Sequence, residues 1–180
     1  MRARRLLLSV LPLFLVGITG CSDANKSPDV TDNIRKSLDQ AGYKDVKVSE
    51  DRDKGVVTLT GDVATDSDKA QAESIAKSNA ESLVVSDQVA VRPPGNESEA
   101  KTVDSDLDKA IEKNLDATLV KHRLKKDVKY DVKNGVVTLT GDVPSQARRA
   151  QVEKLATSVP NVKQVVNELE VKGQKATASS

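Results

Sequence analysis

Arg148 and Arg149 follow Ser145 at the head of a stretch in which Val152, Leu155, Ala156 and Val159 recur at helical spacing. Two guanidiniums beside the free amide donors of a helix start form an anion site, for a lipid phosphate or an acidic envelope polymer. The Ser145 hydroxyl adds a further donor. Cations there oppose the helix dipole, which prefers acids at this end. A second basic group, Arg123, Lys125 and Lys126, lies in the segment from Lys121 to Lys133, diluted by Asp127 and Asp131. The plain alternative for all these residues is a solvated surface, with the Arg148 stem lying beside Val152.

Enzyme chemistry has little to stand on. The only histidine, His122, sits among Lys121, Arg123, Lys125 and Lys126, where cations repel a metal. A metal centre needs several converging ligands, and no second histidine completes an acid–base pair. No serine or threonine has an evident activating base. Asp66, Asp68 and Glu73 read as the solvated side of a helix. The expectation is no catalytic residues, no metal and no cofactor.

The N-terminus has its own logic. Arg2, Arg4 and Arg5 precede an apolar run from Leu6 to Ile18, then Thr19, Gly20 and Cys21. A basic start, a short apolar core and small residues before a cut describe a secretory signal over 1–20. The run is short for a bilayer crossing, which takes about 20 residues. Cys21 is the only cysteine, so no intrachain disulfide forms. The Ile18-Thr19-Gly20-Cys21 sequence resembles the lipobox of bacterial lipoproteins. That resemblance implies acyl chains such as palmitate on Cys21 and anchoring by lipid rather than by a transmembrane helix. Ser22 after the cysteine resembles an outer-membrane sorting signal, on the periplasmic face. Without residues 1–20 the chain holds 25 basic and 27 acidic side chains, which argues against nucleic acid as a partner.

Elements that position the charged residues emerge from a repeat. Gly55 to Val63 reads GVVTLTGDV, and Gly135 to Val143 reads the same. The match continues at Ala70 and Ala150, Glu73 and Glu153, Ala76 and Ala156, Val85 and Val165, and Val91 and Val171. Each copy predicts a helix, two strands, a second helix and a last strand. In copy one the first helix covers Thr31 to Gln40, with Thr31 as N-cap and Gly42 as terminator. In copy two it starts near Asp104 or Ser105. Asn134-Gly135 marks a tight hairpin; the first hairpin carries about two extra residues between Glu50 and Lys54. Thr65 and Ser145 are the expected N-caps of the second helices. The fold class is therefore α+β: two αββαβ modules, each a small mixed sheet with two helices on one face. The divisions are a signal over 1–20, a lipidated tether over 21–30, module one over 31–91, a linker over 92–103, module two over 104–172 and a disordered tail over 173–180.

With those residues in view, the chain resembles the BON domain family. The pattern falls on Gly55, Val57, Leu59, Gly61, Val63, Ala70, Val85 and Val91. It recurs on Gly135, Val137, Leu139, Gly141, Val143, Ala150, Val162, Val165 and Val171. The family usually has a glycine after the second helix; Ala80-Glu81 and Pro160-Asn161 stand there instead. The resemblance implies a non-enzymatic envelope protein, and for tandem modules contact of the second with anionic phospholipid headgroups. Charge agrees with this asymmetry. Residues 31–92 hold 9 basic and 12 acidic side chains, and residues 101–173 hold 14 and 11. The expected function is association with anionic membranes in support of envelope integrity or stress tolerance. An adaptor for an envelope protein, or a spacer of two packed modules, is the alternative.

Overall fold

The computed structural model describes residues 30–172. The expected signal, Cys21, most of the tether and the tail lie outside them. Module one comprises α1 (Thr31–Gln40), β1 (Lys47–Asp51), β2 (Val56–Thr60), β3 (Asp62–Val63), α2 (Asp66–Asn79), β4 (Val84–Asp87) and β5 (Ala90–Val91). Module two comprises α3 (Glu97–Lys121), β6 (Val128–Lys133), β7 (Val136–Val143), α4 (Gln146–Thr157), β8 (Gln164–Asn167) and β9 (Glu170–Val171). In each, an antiparallel hairpin meets a parallel strand delivered by the second helix: β1-β2-β4 in one, β6-β7-β8 in the other. The two-module α+β reading holds.

Alternation builds both cores. Val57 and Leu59 point toward the helices and meet Ile34, Leu38, Ala72 and Ala76. Val137 and Leu139 meet Ile111, Leu115, Leu119, Val152 and Ala156 in the same way. Small alanines at the helix–sheet contact let α2 and α4 lie close to the strands. Helix starts follow local hydrogen bonding. Thr65 caps α2, its hydroxyl accepting from the Asp68 amide at 3.1 Å while Asp68 accepts in return from the Thr65 amide. Ser145 caps α4 alone, because Arg148 stands where Asp68 closes the box.

Three expectations need correction. Thr31 is not the N-cap of α1. Its hydroxyl and the Val30 amide donate to the Glu50 carboxylate at 3.2 and 3.3 Å, so β1 holds the helix start. The first helix of copy two does not start near Asp104 or Ser105: α3 begins at Glu97. Pro93, Pro94 and Gly95 break the chain, but Glu97 and Glu99 favour a helix N-terminus, and Arg92 pairs with Asp104 to pin the added turns. The last strand of each copy divides in two. Asp87 and Asn167 turn the chain there by accepting from the amides of Val89 and Leu169, at 3.1 and 3.3 Å. After the second helices, Glu81 (φ 53°) and Asn161 (φ 68°) adopt the left-handed conformation that glycine fills in the family pattern.

The modules are docked. Val56, Val136 and Val166 form a small buried cluster between them. The Gln164 side chain accepts from the Asp87 amide at 3.0 Å and donates to the Val85 carbonyl at 2.6 Å, filling the open edge of β4. Contacts at the two ends are reciprocal. Asn134, in the hairpin of module two, donates to the Gln88 carbonyl at 2.7 Å. Lys54, in the hairpin of module one, pairs with Glu170 on β9. The hairpin end of each module thus lies beside the opposite end of the other.

Candidate anion-binding surface

Register places the two basic groups together. Val128 is opposite Gly141 in the β6–β7 ladder. The exit of α3 precedes Val128 and the entry of α4 follows Gly141, so both lie at one end of the module-two sheet. Lys121, Arg123, Lys125, Lys126, Ser145 and Arg148 therefore share this end.

Their availability differs. Lys121, Arg123 and Lys126 are exposed and form no salt bridge with another described residue. Arg148 is half-buried, and donates to the Gln151 side-chain oxygen at 2.9 Å. Lys125 is engaged by Asp116 and lies 4.7 Å from the centre of the Tyr130 ring. The hydrogen bond that Lys125 donates to Asp116 raises the Lys125 pKa, and the same bond lowers that of Asp116. Lys125 thus stays cationic but held.

Arg149 does not join them. Its guanidinium donates inward to the Asn167 carbonyl at 2.7 Å, and its Nε is buried without a partner. Lys69, its repeat counterpart, donates to the Val89 carbonyl at 2.6 Å and lies 3.8 Å from Asp87. In both modules this residue straps the second helix to the divided last strand. The sequence held a signal for this: Lys69/Arg149 and Asp87/Asn167 are each 80 residues apart. Gln164 and Asn134 carried no such signal, since their partners belong to the other module.

One strap differs in charge. Burial is the main cause raising the Asp87 pKa, with the nearby Lys69 opposing it. A carboxylate with a raised folded pKa binds its proton more tightly folded than unfolded. Its favourable contribution is present at low pH and is lost as pH rises from the ordinary aspartate range through the folded value. Asp87→Asn, which copies module two, should therefore gain stability relative to the parent from pH 4 to 7. Urea titrations at each pH check the sign.

Equivalent positions show what is particular to module two. The matching end of module one is a groove of about 370 Å³ lined by Gly42, Tyr43, Asp45, Asp62, Asp68 and Arg92, among others. Gly42 ends α1 at φ 93°, its amide bonded to Asp39 and the next amide to Leu38. Arg123 ends α3 at φ 58° with the same pattern to Val120 and Leu119. A left-handed residue that is not glycine costs about 1 kcal/mol or more, so a cation replaces the cheaper residue here. Asp68 becomes Arg148. The end is acidic in module one and basic in module two.

Two αββαβ modules, the second with a basic end where the first has an acidic one, define a tandem-repeat architecture. Among the described residues no group of three or more metal-ligating side chains converges. The chain belongs to the BON domain family, whose model matches residues 26–93 and 104–173. It is non-enzymatic. It is 32% identical over 146 residues to Osmotically-inducible protein Y of Escherichia coli (strain K12), covering 79% of this chain and 71% of the relative. It is also 32% identical over 147 residues to an uncharacterized protein in the gshII 5' region of Anaplasma centrale, covering 79% and 92%. Among solved structures, the C-terminal domain of CdsD, a structural protein of the type III secretion system of Chlamydia trachomatis, is 16% identical with a TM-score of 0.30. That match covers 83% of this chain and 66% of the other. No helix among the described residues is long and apolar enough to cross a membrane.

Proposed function

We propose that the basic end of module two docks this protein on anionic phospholipid headgroups, while acyl chains on Cys21 hold it at the periplasmic face of the outer membrane. The carrying observation is the inversion of charge at equivalent ends of two modules with the same fold. Arg123 supports the reading: it stands at φ 58°, a conformation that favours glycine and that Gly42 fills in module one. Val120, 57% exposed beside Lys121, offers a shallow apolar contact. A role in osmotic stress is supported by the name of the Escherichia coli relative, Osmotically-inducible protein Y.

Each basic residue near an anionic surface contributes about 1 kcal/mol. Reversing Arg123, Lys126 and Arg148 to glutamate together should weaken binding of the lipid-free chain to phosphatidylglycerol vesicles about a hundredfold or more. Arg123→Gly should weaken binding several-fold while raising stability by about 1 kcal/mol. Flotation and urea unfolding read the two effects. Equal binding to neutral and anionic vesicles would sink the reading. The docked modules favour a second reading, a rigid two-module spacer, which predicts indifference to lipid charge.

A further inference from the structure

We infer that module docking is an orienting device: it places the chain's N-terminal exit and the basic end of module two on one face, which lies against an anionic bilayer. This inference rests on the reading above. Val30 and Thr31 are held to Glu50, near the hairpin of module one. Lys54 in that hairpin pairs with Glu170. Glu170 lies beside Asp142 in the β7–β9 ladder. Asp142 follows Gly141, which stands opposite Val128 at the start of β6, directly after Asp127. An unbroken series of contacts thus runs from the tether exit to the basic end.

The acidic end of module one lies on the opposite face. Arg92 leaves from it and pairs with Asp104 in the first half of α3. From there α3 runs back to Lys121, a rise of about 26 Å along the helix axis. Nine residues, Cys21 to Asp29, precede Val30. Fully extended they reach about 30 Å, and as a flexible chain about 17 Å. An anchor at Cys21 is therefore kept to the side of the molecule that carries Lys121, Arg123 and Lys126. A module pair docked in parallel would put the acidic end of module one on the membrane side instead.

Two measurements on the chain from Cys21 onward separate this geometry from the lipid reading. Lys126 stands two residues before β6 and Lys133 ends it, so the strand, about 20 Å long, separates them. In solution, a spin label on Cys21 should lie nearer to one on Lys126→Cys than to one on Lys133→Cys. Equal distances, or the reverse order, overturn the shared face whatever the lipid result. In the second measurement, Cys21 is coupled to a maleimide lipid in phosphatidylcholine vesicles with or without phosphatidylglycerol, and lysines are acetylated. With phosphatidylglycerol, Lys121 and Lys126 should react at least fivefold more slowly than Lys44 and Lys133. Equal slowing of Lys44 overturns the orientation. Gln164→Ala with Lys54→Glu, which faces Glu170 with a like charge, should abolish the spin-label order. An order that persists in that variant overturns the role of docking. Correct spin-label order with no effect of phosphatidylglycerol upholds the geometry and overturns the anionic-lipid reading.

Discussion

Gly141→Ala is expected to lower the stability of module two by about 3 kcal/mol or more, among the largest single-residue effects in this chain. A Cβ on Gly141 would lie 2.3 Å from the Asp127 carbonyl oxygen, a backbone atom that cannot move aside. The residue also sits at φ 120°, outside the range of L side chains. Strain and overpacking each cost about 1–3 kcal/mol. Gly61 makes the same approach to Asp45, at 2.2 Å, so Gly61→Ala should match it in module one. Gly42→Ala is the control. Its φ is positive but nothing lies within 4 Å, so only the backbone cost of about 1 kcal/mol remains. Urea midpoints of the three variants test the order; a Gly141→Ala loss no greater than that of Gly42→Ala would contradict the contact.

Leu139→Ala should cost about 2–5 kcal/mol, the range for emptying a leucine site in a packed core. Leu139 is fully buried at the centre of β7, among Leu115, Leu119, Val152 and Ala156. The core contains no tryptophan or phenylalanine, so small aliphatic groups supply nearly all of its packing. Leu59→Ala in module one removes the matching contact. Interface bonds through Gln164, Asn134 and Lys54 should couple the modules, so either leucine variant lowers the midpoint of a shared transition. Calorimetry reads this directly. Two separated transitions, with only one displaced, would show that docking contributes little to cooperativity.

The repeated nonapeptide made the fold legible. Its alternating Val57/Leu59 and Val137/Leu139 assign one sheet face to the core, and the capping residues Thr65 and Ser145 fix where the second helices begin. The start of α3 was not legible, because Glu97 to Lys101 carry helix-forming residues with no apolar stripe. The basic end was partly legible. Lys121, Arg123, Lys126 and Arg148 stand exposed or half-exposed where expected, near Ser145. The inward course of Arg149 was not legible, because a strap and an exposed cation look alike in sequence: both are cations one turn into a helix. The distinction lies in direction, toward the Asn167 carbonyl, which periodicity does not encode. Docking was hidden for a related reason. Gln164 and its partners are 77 and 79 residues apart, and a lone polar side chain reaching across that span leaves no local pattern.

That glutamine bears on how the protein avoids aggregation. A strand hydrogen-bonded on one side presents a row of vacant donors and acceptors on the other, and invites strands from neighbouring molecules. Gln164, placed where module one has the exposed Val84, offers its amide as a miniature strand and occupies the flank of β4. Duplication thus lets one copy shield the other from self-templating, and a single module expressed alone would carry that sticky flank bare.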